Sequence, residues 1–267
     1  MDRPEYKYFK EEQEEKQSNK IFYKFVIVLC VIYALVFGVT YAFRSTFEYV
    51  TINGCSMQST LNPNPVKMNG KEVQDGVYIK LTQNVDYGDI IIIKKDKQDS
   101  IIKRALAFGG DYITIASVEY DEGTQLRFMR VKDGSDEVEV VDEKNYIKSY
   151  DEWNATETTF FGDVEYEDVF YSCFTFLGYK TKEIEVELDG TKRSVVFFQI
   201  PEDEVFFMGD NRTGSADARV TGTVDKKDVV GYVVKIVHNG TITKKNPIKW
   251  FFQQIGDFFS IVWNEIF

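Results

Sequence analysis

The longest apolar stretch lies at residues 25–43, FVIVLCVIYALVFGVTYAF, nineteen positions without a charge. A helix of that length spans about 28 Å, close to the hydrocarbon thickness of a bilayer, and it is apolar on every side. It therefore predicts a membrane-crossing anchor over 21–44 rather than a core helix. The run exceeds the apolar core of a cleaved secretory signal, although Thr40 and Ala42 are small enough to stand at a cleavage site. Residues 1–20 are polar and predict a loose tail. Beyond the anchor, short runs with period-two character occur at 77–81, 90–93, 112–116, 195–200, 205–208 and 229–237. Gly, Asp, Asn or Pro bound each of them, as strands joined by turns require. No ten-residue amphipathic helix is legible between Arg44 and Thr243, so the predicted body is mainly β.

The pattern changes again at the C-terminal end, where 247–267 predicts an amphipathic helix. Phe251, Ile255, Phe258, Phe259, Val262 and Ile266 fall on one face, and Gln254, Asp257, Ser260 and Asn264 on another. Asp257, near the centre, argues against a second span. The expected place is the bilayer interface, with packing on the β body as the alternative, and few basic residues on the polar face favour the latter.

Charge adds an orientation. Arg3, Lys7, Lys10, Lys16, Lys20 and Lys24 precede the apolar run, whereas only Arg44 stands in the twenty residues after it. The positive-inside rule then keeps 1–20 as a cytoplasmic tail and exports everything after Arg44. Charge also marks an insertion. Between 116 and 200 there are twenty acidic and nine basic residues, an imbalance equal to the net charge of the whole chain, −11. We read 116–200 as an acidic inserted β-rich subdomain without chemistry of its own, its charge a solvated face, flanked by a catalytic β domain at 45–115 and 201–246.

Composition excludes several classes. An excess of acid and no basic stripe argue against a nucleic-acid partner. Cys30, Cys55 and Cys173 are too few and too scattered for a disulfide framework or a zinc site, and one histidine, His238, leaves a metal almost no ligands. No cofactor and no metal are expected.

Four segments carry candidate chemistry: INGCSMQSTL at 52–61, YGDI at 87–90, KRALAFGGD at 103–111 and MGDNRTGSADAR at 208–219. In this order, behind an N-terminal anchor, they resemble the boxes of bacterial type I signal peptidases, Gram-positive-like, which cleave signal peptides from exported preproteins with a Ser-Lys dyad. The resemblance implies Ser56 as nucleophile and Lys103 as general base. It further implies that Ser215 hydrogen-bonds the lysine amine and that Asp217 and Arg219 form an ion pair holding the fourth box. Gly54 stands where some members carry a hydroxyl donor to the oxyanion, which leaves the backbone N–H of Ser56 as donor. Ser59 and Gly109 stand where the family often has proline, and Ala218 where it often has serine.

Residue chemistry allows those roles. A serine hydroxyl attacks an amide only when a neighbour takes its proton. A lysine does so only when neutral, which requires a pKa well below 10.4. Burial supplies that shift, and Lys103 follows Ser100-Ile101-Ile102, an apolar setting. Arg104, on the opposite face of the same strand, stays charged and structural; Asp210 and Arg212 shape their loop. An extended peptide adding as a strand beside Ser56 would find Ile52, Met57 and Ile102 lining shallow pockets, favouring small residues before the cut.

The expected protein is thus a single-pass enzyme of the cell membrane, its catalytic domain extracytoplasmic. Signal peptides of secreted preproteins, and membrane lipid, are its partners. Ser100 to Lys103 also matches the S-x-x-K pattern of penicillin-binding proteins, but the accompanying S-D-N and K-T-G segments are absent. A self-cleaving repressor protease would need a DNA-binding module instead of an anchor. Cys55 lacks a partnered histidine and reads as a packed residue, and His238 as a surface or packing residue. An inactive scaffold for surface or pilus assembly is the alternative from another class; it would be marked by loss of Ser56 or Lys103, and both are present.

Overall fold

Helix α1 (Pro4–Thr46) makes up the N-terminal part of the chain. The computed structural model describes residues 4–58, 60–62, 66–68, 71–94, 99–120, 123–141, 165–188, 190–212, 214–238 and 247–266. They form two units, Met1–Phe47 and Glu48–Phe267. Within α1, the stretch Lys16–Thr46 is long and apolar enough to cross a membrane. The loose tail expected at 1–20 is instead helical from Pro4 onward. Glu, Lys and Gln dominate that segment and are strong helix formers, and a helix already nucleated in the apolar run extends through them cheaply.

The second unit is mainly β. Its first strands are β1 (Phe47–Thr51), β2 (Val66–Met68), β3 (Lys71–Val73), β4 (Gly76–Leu81), β5 (Ile90–Ile93) and β6 (Ile101–Phe108). The inserted region gives β7 (Tyr112–Tyr120), β8 (Gly123–Val131), β9 (Glu139–Val140), helix α2 (Glu165–Phe176), β10 (Thr181–Leu188) and β11 (Thr191–Gln199). Then come β12 (Glu204–Met208), α3 (Ala218–Thr221), β13 (Val224–Asp225), β14 (Val229–Val237) and α4 (Pro247–Ile266). Seven strands form one sheet in the order β1-β4-β14-β5-β6-β12-β13, five form a second in the order β10-β11-β7-β8-β9, and β2 with β3 makes a hairpin.

The acidic region therefore builds its own sheet but shares a core with the first one. Phe128 of β8 stacks on Phe206 of β12 at 5.3 Å between ring centroids, and Phe198 of β11 lies in the same cluster. In β10 the alternation Glu183, Glu185, Glu187 against Ile184, Val186, Leu188 turns the acids outward and buries Val186 and Leu188. That strict period-two signal marks a strand as clearly as the six runs noted above.

Helix α2 corrects the expectation that no helix of ten residues lies between Arg44 and Thr243. Its twelve residues are rich in aromatic and β-branched types, which depress helix propensity. Tertiary packing overrides that preference: Phe170 and Phe174, four apart and so on one face, are fully buried against Phe198 and Phe206. Glu167 on the same helix accepts the Ser117 N–H and hydroxyl of β7.

Helix α4 packs on the sheet through a face that carries Asp257 and Ile261. Asp257 is buried and pairs with Lys235 of β14 at 2.7 Å, and Ile261 one turn on is buried too. Ile255, Phe259 and Trp263, spaced by four, stay exposed. This buried face is the packing on the β body set out above as the alternative, with Ile255, Phe259 and Trp263 turned away from it.

A bulge positions the site. Strand β12 pairs with β6 as Phe206 with Ala107 and Phe207 with Ala105, so Leu106 is skipped. Its carbonyl accepts a hydrogen bond from the buried Arg130 guanidinium at 2.7 Å, which keeps the skipped peptide from being an orphan in the core.

Candidate active site

Lys103 lies in β6 between Ile102 and Arg104, with the fully buried Ile91 as cross-strand partner. A strand covered on both faces leaves its side chain only 4% exposed. The Nζ atom donates to Ser56 Oγ at 2.8 Å and to its neighbour's carbonyl, Ile102 O, at 3.0 Å. Burial lowers the ammonium pKa below its ordinary 10.5; Asp217, then Cys55 and Asp210, pull the other way, and burial prevails.

Ser56 is carried by a tight turn rather than by a strand. Gln58 N donates to Cys55 O at 2.9 Å, and Leu61 N to Met57 O at 2.8 Å. Gly54 precedes the turn at φ +92°, a conformation that L side chains rarely adopt. No acceptor among the described residues takes the Ser56 N–H, so the amide is available beside the hydroxyl.

The loop after β12 closes over this turn. Asn211 N donates to Ser56 O at 3.1 Å, Asn211 Nδ2 to Cys55 O at 3.0 Å, and the Thr60 hydroxyl to Asp210 Oδ2 at 2.5 Å. Asp210 is gripped in turn by Arg104, Nε to Oδ1 at 2.8 Å and Nη2 to Oδ2 at 2.6 Å. The residue after Lys103 thus anchors the loop that anchors Ser56. A Cβ on Gly209 would run into Ser56 O and the Ser215 side chain, which is why the loop crosses here on a glycine.

Asp217 and Arg219 form a fully buried ion pair at 2.8 Å. Asp217 also accepts Gly209 N at 2.9 Å, Arg219 donates to Arg212 O at 2.6 Å, and Arg212 donates to Gly209 O at 2.8 Å. Ser215 corrects one expectation. Its hydroxyl is buried without a hydrogen-bond partner, while the Lys103 amine is taken up by Ser56 and Ile102. Ser215 packs instead at Gly209, where its side chain and Ser56 O line the same spot. Ala218 is buried as the first residue of α3, capped by Asp217. Gly109 is constrained as well, since a Cβ there would strike the Glu202 backbone; proline would not fit without moving that segment. Ser59 lies outside the described residues.

Ile52, Met57 and Ile102 come together in one apolar cluster with Leu61 and Ile92, but all three are buried, so they form a floor beneath the turn rather than an open wall. Among the described residues no group of His, Cys, Asp and Glu is placed to hold a metal ion. Sequence reading missed Asn211 and Thr60 as contacts of the nucleophile turn, although both stand inside the quoted boxes. It missed Asn62 and Asp75 entirely.

With a mainly β body and a turn serine within reach of a buried lysine, the chain belongs to the signal peptidase family, peptidase S26, whose family model matches residues 22–238. It is therefore a member of a peptidase family. It is similar to the signal peptidase I of Aquifex aeolicus (strain VF5), with 32% identity over 177 residues, 60% of this chain and 66% of that protein. The match thus spans just under two thirds of that relative. A signal peptidase I of Enterococcus faecalis V583, known from its crystal structure, is 16% identical, with a TM-score of 0.25 over 56% of this chain and 96% of that one.

Proposed function

We propose that the chain is a membrane-bound serine endopeptidase that removes N-terminal signal peptides from exported preproteins after small residues, with Ser56 as nucleophile and Lys103 as general base. The observation that carries this reading is the 2.8 Å approach of a buried lysine amine to a serine hydroxyl. Buried and lowered in pKa, the amine loses its proton more readily and then offers a lone pair to the Ser56 O–H.

The steps follow from that pair. Ser56 Oγ attacks the scissile carbonyl carbon while Lys103 takes its proton, and the carbonyl oxygen becomes an oxyanion facing the Ser56 N–H. Lys103 then protonates the departing amine as the C–N bond breaks, leaving an acyl ester on Ser56. A water attacks that ester, giving a proton to the neutral lysine, and the proton passes to Ser56 Oγ as the signal peptide leaves with a carboxylate. In the neutral amine the lone pair receives the Ser56 O–H, and an N–H group serves Ile102 O. In this reading the apolar floor of Ile52, Met57 and Ile102 limits the depth of the pockets and so favours small side chains. Asp217 and Arg219 keep the covering loop in shape.

The flanking lysines and arginines support a cytoplasmic N-terminus and an extracytoplasmic body in the cell membrane. The exposed Ile255, Phe259 and Trp263 offer α4 a lipid-facing stripe. The test is cleavage of a preprotein by the detergent-solubilised chain. Wild type is expected to release the mature protein, and Ser56→Ala and Lys103→Ala to release none. Full activity of either variant would overturn the dyad, whereas an inert wild type would favour the scaffold reading.

A further inference from the structure

Outside the dyad, one polar cluster has no part in the mechanism above. Asp75, just before β4, is buried, and its carboxylate accepts Asn62 N at 2.8 Å and faces His238 Nδ1, at the end of β14, at 3.0 Å. Its own N–H donates to Asn62 Oδ1 at 2.7 Å, so the two residues are joined twice. Asn62 holds φ +52°, the left-handed region that asparagine tolerates best among residues with a Cβ.

The cluster grips the segment leading to the nucleophile. Ile52 N donates to Asp75 O at 2.9 Å, and Asn62 Nδ2 donates to Ile52 O at 3.2 Å and to Gly54 O at 3.4 Å. Both backbone groups of Ile52 are thereby used on one side. In extended chain the groups of the next residue point to the other side. Asn53 is exposed, and its backbone N–H and C=O meet no partner among the described residues.

We propose that Asn62 and Asp75, backed by His238, are positioning residues that occupy one backbone edge of residues 52–54 and so present the other, at Asn53, to the incoming peptide strand. The proposal rests on the peptidase reading above. It makes binding of the extended substrate, rather than the chemistry at Ser56, the quantity these side chains control. A merely structural role would instead lower stability and depress kcat together with binding.

The experiment measures kcat and KM of the full chain in detergent on an internally quenched peptide with an Ala-x-Ala cleavage site. Asn62→Gly keeps access to positive φ and removes the side-chain links. Asn62→Asp keeps the acceptor for Asp75 N but replaces the donor to Ile52 and Gly54 with a carboxylate oxygen, adding a charge beside Asp75. For both variants KM is expected to rise about tenfold or more, with kcat falling less than about threefold. Asn62→Asp is expected to melt lower because of the added charge, so the split between KM and kcat, not Tm, reads the clamp. An unchanged KM in either variant, or a fall in kcat as large as the rise in KM, overturns the clamp while leaving the peptidase reading intact. A wild-type chain that cuts no such peptide, and cuts no preprotein either, overturns both.

Discussion

Asn211 holds Ser56 from above: its backbone N–H reaches the Ser56 carbonyl at 3.1 Å and its side chain reaches the Cys55 carbonyl at 3.0 Å. Asn211→Ala keeps the first bond and removes the second, together with the acceptor for the Gly214 N–H at 3.0 Å. We expect kcat/KM on a preprotein peptide to fall about tenfold, the cost of one lost hydrogen bond on a group that must be aimed, with little change in Tm. Steady-state kinetics alongside a thermal melt separates the two.

Lys103 links activity to pH. Its folded pKa lies below 10.5, so the neutral, reactive amine gains population as pH rises through that lowered value. The kcat/KM profile should therefore climb on its acid limb with a single ionisation below 10.5. A flat profile, or one falling toward alkaline pH, would contradict the assignment.

The same burial makes Lys103 a liability for the fold. Because the folded state binds this proton less tightly than the unfolded state, the residue's cost is full below its folded pKa and fades as pH rises toward 10.5. Lys103→Met should abolish cleavage yet raise Tm by a few degrees near neutrality. The gain should shrink in alkaline buffer, which calorimetry across pH would record.

Gly209 admits no side chain, since a Cβ would press on Ser56 O and Ser215. Gly209→Ala should push the nucleophile turn away from Lys103 and cost about 100-fold in kcat/KM. Labelling of Ser56 by a small fluorophosphonate should slow in parallel if displacement of the turn is the cause.

Arg104 and Asp210 form a buried two-point pair, so removing one partner strands the other's charge. Asp210→Ala should lower unfolding free energy by about 3–5 kcal/mol, and the double variant Arg104→Met with Asp210→Leu should recover part of it. Denaturant titration of all three proteins tests this coupling.

Much was legible in the chain itself, because the signals are local. The apolar run ending in α1, the strand β5 with four isoleucines, and the valine-rich run of β14 each declare themselves within a few residues. The four boxes named Ser56 and Lys103 by type and order. Helix α2 was hidden because aromatic and β-branched residues argue locally for strand, and only contact with Phe198 and Phe206 stabilises them as a helix. The inward turn of Asp257 has no local signal, since its partner Lys235 lies on another strand.

Local patterns in the chain specify a mainly β protein with a membrane-length apolar helix and a serine and a lysine set in peptidase-like boxes. Tertiary structure decided what each polar side chain meets. Residues 56 and 103, 104 and 210, or 62 and 75 are paired by strand order and by the loop that crosses at Gly209. Burial and approach, which set the lysine's protonation and the aim of the serine, arise from contacts between distant segments and have no local signature.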